Sequence, residues 1–136
     1  MMTVATILKR KAFQVAVVAP TDPIGEVARV LSAQRAEAVL VVDRFGQLLG
    51  IVAEHDIVEG VAANGARTLE MTAGQLVTRA LRNATPRTTL SEAMRVMVAG
   101  RLRQLPVMDE GELIGLISLT DVVRAHVIEE QAALAA

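Results

Sequence analysis

The segment Gly115-Leu116-Ile117-Ser118-Leu119-Thr120-Asp121 places two hydroxyls and a carboxylate within four residues, at the end of an apolar run. An ionised carboxylate accepts hydrogen bonds only, and its two oxygens can serve two neighbouring hydroxyl groups. A helix starting here offers unpaired N–H groups that favour an anion such as phosphate. The same spacing has a structural use, because Ser118-x-x-Asp121 ahead of apolar residues matches a capping box. Spacing alone leaves both uses open, and they are compatible. A degenerate copy stands at Gly50-Ile51-Val52-Ala53-Glu54-His55-Asp56, where Asp56 is kept and Ala53 replaces the hydroxyl. His55 reads as an exposed first-turn histidine or as the neighbour of a bound anion.

Other chemistries find no residues. The chain has no Cys, which excludes disulfides, thiolate metal sites and a Cys nucleophile. His55 and His126 are its two histidines and make no HExxH pair. With no nucleophile–base pair, metal cluster or phosphate-binding glycine loop, we expect neither an enzyme nor a metal site. Phe13 and Phe45 are the only aromatics, and the net charge is −1. Nucleic-acid binding needs stacking platforms or a basic surface, so no such partner is expected. Apolar runs such as Ala38–Val42 fall far short of the roughly 20 residues that span a bilayer. The start MMTVATILKRK carries its charges after a short apolar stretch, unlike a signal peptide. These features predict a cytoplasmic protein without a membrane partner.

Positioning those residues requires a scaffold, and it is written twice. Residues 18–63 overlay residues 84–128: Pro20 on Pro86, Glu26 on Glu92, Arg29 on Arg95, Arg35 on Arg101, Val41 on Val107 and Asp43 on Asp109. After a one-residue gap in a turn, Gly46 falls on Gly111, Gly50 on Gly115 and Asp56 on Asp121. Each copy reads β-α-β-β-α. The first strand is Phe13 to Val18, with a weak counterpart at Leu81 to Thr85. A helix follows, capped by Asp22 with Pro23 at its first position, or by Thr89 with Glu92 and stopped by Gly100. Then come hairpin runs 38–42 and 48–52, or 105–108 and 113–117. The last helices begin near Glu54, ending at Asn64-Gly65, and near Leu119. Chain order assigns residues 1–65 to repeat one, with a helix over 3–11. It assigns 66–80 to a linker carrying a short helix, and 81–136 to repeat two. At 136 residues and 52% hydrophobic, the chain is long enough for one core shared by two half-size units. The fold class expected is α/β (α+β), with the copies packed about a pseudo-twofold axis.

The strings LPVMDEGELIGLISLTDVV, VLVVDRFGQLLGIVAEHDIV, TVATIL and TAGQLVT together resemble the CBS-domain family in its tandem, paired form. The resemblance covers nearly the whole chain. It implies a regulatory module, commonly a homodimer, that senses an adenosine ligand such as AMP, ADP, ATP or S-adenosylmethionine. Because two copies fill the chain, the expected output acts in trans, through an unknown regulated protein or the oligomeric state. The resemblance assigns ribose contacts to Asp121, ribose and phosphate contacts to Ser118 and Thr120, and a phosphate contact to Arg103. It adds Ile117, and it places each ligand between the two copies, so that Val18 and Ala19 meet adenine. A second site would use Asp56, His55 and Thr85. The alternative reading is a ligand-free dimerisation and protein-interaction scaffold.

Overall fold

The computed structural model describes residues 2–10, 16–79 and 82–135. Along the chain run α1 (Val4–Arg10), β1 (Val17–Val18), α2 (Ile24–Gln34), β2 (Ala38–Val42), β3 (Leu48–Ala53), α3 (Glu54–Asn64), a 3₁₀ turn (Gly65–Glu70) and α4 (Ala73–Leu76). The second half holds α5 (Leu90–Gly100), β4 (Gln104–Asp109), β5 (Glu112–Ser118) and α6 (Leu119–Ala135). This is a mixed α/β chain built from two repeats. It divides into two compact units, one of residues 15–80 and one of residues 1–14 with 81–136.

In the unit of residues 15–80, β1 runs parallel to β2, and β2 pairs antiparallel with β3. Ile24, Val27 and Leu31 recur on one face of α2 and meet Val39, Val41 and Val52 from the sheet in a closed core. Pro23, not Asp22, caps α2. The Asp22 carboxylate turns back to accept the Ala19 N–H at 2.9 Å, while the Pro23 carbonyl accepts from Glu26 and Val27. Residues 66–80 are more than a linker, since the 3₁₀ turn and α4 pack on α2 and α3. The predicted strand residues 13–15 lie outside the described residues.

In the other unit, β4 and β5 form an antiparallel hairpin, and Leu90, Ala93 and Met97 of α5 pack on Leu105, Val107 and Ile117. Thr89 caps α5 as its sequence predicts: its hydroxyl accepts the Glu92 N–H at 3.1 Å, and Glu92 accepts the Thr89 N–H at 3.2 Å. Gly100 is not the stop. The left-handed residue is Arg101, at φ 53°, matched by Arg35 at φ 51° in the first copy. Leu102 explains Gly100, because its Cγ lies 3.1 Å from where a Cβ would stand. The expected second-copy first strand shrinks to one parallel bridge, Ala84 with Val107. Thr85 and Thr88 close a turn there, and Pro86 has no N–H to extend a ladder. Leu81 lies outside the described residues.

The sequence repeats and the packed units are different stretches of chain. Helix α1 precedes the first copy but docks on the second. Val4 N–H donates to Thr88 O at 2.8 Å, and Val4 and Ile7 enter the core beside Leu90 and Val122. Helix α4 takes the matching place in the other unit, with Ala73 N–H on Asp22 O at 2.8 Å and Gly74 N–H on Pro20 O at 2.8 Å. Chain order groups α1 with the repeat it precedes. In the packing, Val4 and Ile7 complete the second copy's core. Lys11, at the end of the predicted helix, lies outside the described residues.

Candidate functional site

Each hairpin delivers its last strand straight into a helix; Ile117, Ser118, Thr120 and Asp121 stand at one such junction and His55 and Asp56 at the other, whereas Val18, Ala19 and Thr85 do not. In the second copy, Ile117 is buried in the core and anchors the strand end. Ser118 follows at 9% exposure. Its N–H donates to Asp121 Oδ2 at 2.9 Å, and its hydroxyl accepts the Asp121 N–H at 3.0 Å. The capping box that the spacing allows is therefore formed. It turns one carboxylate oxygen inward, and a carboxylate offers about four acceptor positions in all. Thr120 is exposed on the first turn of α6. The Arg103 carbonyl accepts the Leu119 N–H at 2.8 Å, which brings the exposed Arg103 to the helix start. The Leu119 and Asp121 amides at the helix start are thus already hydrogen-bonded, one to Arg103 O and the other to the Ser118 hydroxyl.

The first copy keeps half of this arrangement. Ala53 N–H donates to Asp56 Oδ2 at 2.8 Å, but Ala53 has no hydroxyl to return the bond. Asp56 Oδ1 lies 3.3 Å from His55 Nε2 and 3.5 Å from the Thr78 hydroxyl, and the side chain is only 11% exposed. The predicted second-site carboxylate is therefore engaged through both oxygens. Thr85, in the other unit, binds within its own turn: its N–H donates to the Thr88 hydroxyl at 3.0 Å and its own hydroxyl accepts the Arg87 N–H at 3.2 Å. Val18 is buried at the end of β1, and the next residue, Ala19, is half-buried.

Sequence reasoning missed a groove of about 130 Å³ beside Asp121. Thr6, Ile7 and Arg10 of α1 line one wall, and Asp121, Arg124 and Ala125 of α6 line the other. The groove forms where α1 packs beside α6, which chain order does not reveal, although the i, i+4 spacing of Thr6 and Arg10 already puts them on one helix face. Among the described residues, no group of His, Cys, Asp and Glu is arranged to hold a metal, and no helix is long and apolar enough to cross a membrane.

The family model described as the CBS domain matches residues 4–63 and 73–128. The chain is 38% identical to the CBS-domain containing protein ATU1752 from Agrobacterium tumefaciens, with a TM-score of 0.86 over 91% of this chain and 92% of that one. It is 36% identical over 95 residues to the CBS domain-containing protein CBSCBSPB2 of Arabidopsis thaliana; that match covers 70% of this chain but 18% of the relative's length. Its fold also matches CBSX2, solved in complex with AMP, at 24% identity and a TM-score of 0.75 over 96% of this chain and 99% of that one.

Proposed function

Because this chain belongs to the CBS-domain family and carries two copies of the repeat, we propose that it is a regulatory module sensing an adenosine ligand of the AMP, ADP, ATP or S-adenosylmethionine kind. The observation that carries this reading is the β5–α6 turn, where Ser118 and Asp121 hold each other and fix a carboxylate at the helix start with Arg103 alongside. In this reading the Asp121 carboxylate takes ribose hydroxyls, and Thr120 and Arg103 face phosphate. The AMP complex of CBSX2 supports the ligand class. The output acts in trans, through a homodimer or a regulated protein in the cytoplasm.

Thermal unfolding against AMP, ADP, ATP and S-adenosylmethionine tests it. A ligand at a hundredfold its Kd stabilises by about 2.7 kcal/mol. In a chain of this size that shifts Tm by several degrees, at about 2–8 °C per kcal/mol. The shift should vanish in Asp121→Ala. A second reading, a ligand-free dimerisation scaffold, is favoured by Val123, Val127 and Leu134, which stand exposed along α6. It predicts no shift with any nucleotide and a mass that doubles with concentration.

A further inference from the structure

Helices α3 and α6, which end the two copies, present the same exposed stripe with opposite charges beside it. In the repeat, Val58 and Ala62 of α3 match Val123 and Val127 of α6, and all four are exposed, Val58 at 66% and Val123 at 44%. Each i, i+4 pair runs along one helix face, away from the buried Gly60 of α3 and the buried Val122 and Ala125 of α6. Beside the stripe, Glu59 in the first copy stands where the second has Arg124, and both are exposed. Neither has an ion-pair partner among the described residues. Glu37 and Arg103 repeat the opposition at the helix starts: Glu37 O accepts the Glu54 N–H at 2.9 Å, and Arg103 O accepts that of Leu119 at 2.8 Å. The units differ as wholes too. Residues 15–80 hold eight acidic and five basic residues, a net −3, and the rest hold seven and nine, a net +2, which together give the −1 of the chain.

Two exposed faces of one pattern, with only the sign of the flanking charge exchanged, fit a second copy of this chain. We propose that two copies associate in antiparallel order, α3 of each against α6 of the other. The proposal rests on the homodimer named in the reading above and adds its orientation and the residues that set it. Apolar contact is non-directional, so the stripes alone would serve α3 on α3, α6 on α6 or α3 on α6 alike. Charge separates the three. Where two helices meet about a twofold axis, equivalent flanking positions face each other. Parallel order would then set Glu59 against Glu59 and Arg124 against Arg124, and juxtaposed like charges suppress an association. Antiparallel order sets each Glu59 against an Arg124. Twofold symmetry makes that contact twice, which closes the assembly at two copies.

The chain has no cysteine, so crosslinking of the full chain reads the orientation directly. Val58→Cys and Val123→Cys are made as separate proteins, mixed under subunit exchange and treated with a short bismaleimide. The mixture should yield a crosslinked heterodimer, and neither protein alone should crosslink. Crosslinking of either protein alone, without the mixed product, would overturn the antiparallel order and leave the homodimer reading standing. Sedimentation equilibrium tests the charges. Glu59→Arg and Arg124→Glu should each raise the dimer Kd about tenfold, because the twofold axis counts each exposed pair twice. The double variant should return it close to the wild-type value, and added salt should weaken the wild-type dimer. Thermal unfolding checks that each variant is folded. Single variants with the wild-type Kd, or a dimer that tightens with salt, would overturn the charges as the cause of the orientation. A wild type that stays monomeric at every concentration would overturn both this proposal and the homodimer on which it rests.

Discussion

Replacing Asp121 with alanine removes a carboxylate that the structure ties into the fold, whatever ligand it also serves. The Ser118 N–H loses its acceptor at 2.9 Å in a residue that is 9% exposed, so water cannot easily replace it. A buried unpartnered donor costs about 1–3 kcal/mol. Losing a negative charge from the first turn of a helix costs a further 0.3–1 kcal/mol or so. Alanine's better helix propensity returns up to about 0.7 kcal/mol. The net expectation is a loss of about 2 kcal/mol, or about 5 °C in Tm for a chain of this length. Asp121→Asn keeps an acceptor and loses the charge alone, so it should cost well under half as much. Urea unfolding without ligand measures both, with an unchanged m-value as the check that the unfolded states match. Asp121→Ala within about 0.3 kcal/mol of the wild type would refute the structural half of the argument, since the capping bonds would then contribute nothing.

Gly50→Ala should destabilise by about 3 kcal/mol or more, because the added Cβ would stand 2.2 Å from Thr78 O. Hydrogen exchange at the Thr78 amide, which pairs with Ile51 O at 2.9 Å, should rise first. The Glu92 carboxyl is held below its ordinary 4.5 by hydrogen bonds from the Thr89 side chain and backbone, with help from Arg95. A depressed carboxylate pKa contributes stability above its unfolded value, and that contribution is lost as pH falls from 4.5 through the lower folded value. In an NMR titration, Thr89→Ala should move the Glu92 midpoint upward; an unmoved midpoint would refute the cap as its cause. Arg101→Gly should stabilise by a few tenths of a kcal/mol: the left-handed conformation costs a non-glycine residue about 1 kcal/mol, partly offset by the unfolded entropy of glycine. A loss of stability in urea would show that Arg101 makes a contact worth more than its strain.

Both hairpins, the capped start of α5 and the onset of α3 and α6 stand in the sequence because apolar runs, turn residues and capping pairs act locally. Asp109-Glu110-Gly111 forms a tight turn with φ of 50° at Glu110 and 81° at Gly111, as its shorter spacing suggests. The docking of α1 on the second copy was not legible, because the apolar stripe of a seven-residue helix fits either core and periodicity carries no address. The second copy's missing first strand was illegible for the opposite reason: Thr85 and Thr88 bond locally, which competes with a ladder. At the β5–α6 turn, the Ser118–Asp121 capping pair was legible through its spacing, whereas Arg10 and Arg124 share a groove only once α1 is placed. The opposition of Glu37 to Arg103 and of Glu59 to Arg124 was available from the repeat, but an alignment built on matching residues passes over positions that differ.

Helix α1 also sets a timetable for folding. Its Val4 amide waits for a carbonyl, that of Thr88, which is translated about eighty residues later. At about 5–20 residues per second that interval is about 4–16 s. The unit of residues 15–80 is continuous in the chain and carries its own α4, so it can close during this interval. Val4 and Ile7 meanwhile stay without their core. The nascent chain therefore carries a short apolar segment past a finished unit before its permanent seat exists, and a truncation after residue 80 would leave that segment permanently exposed.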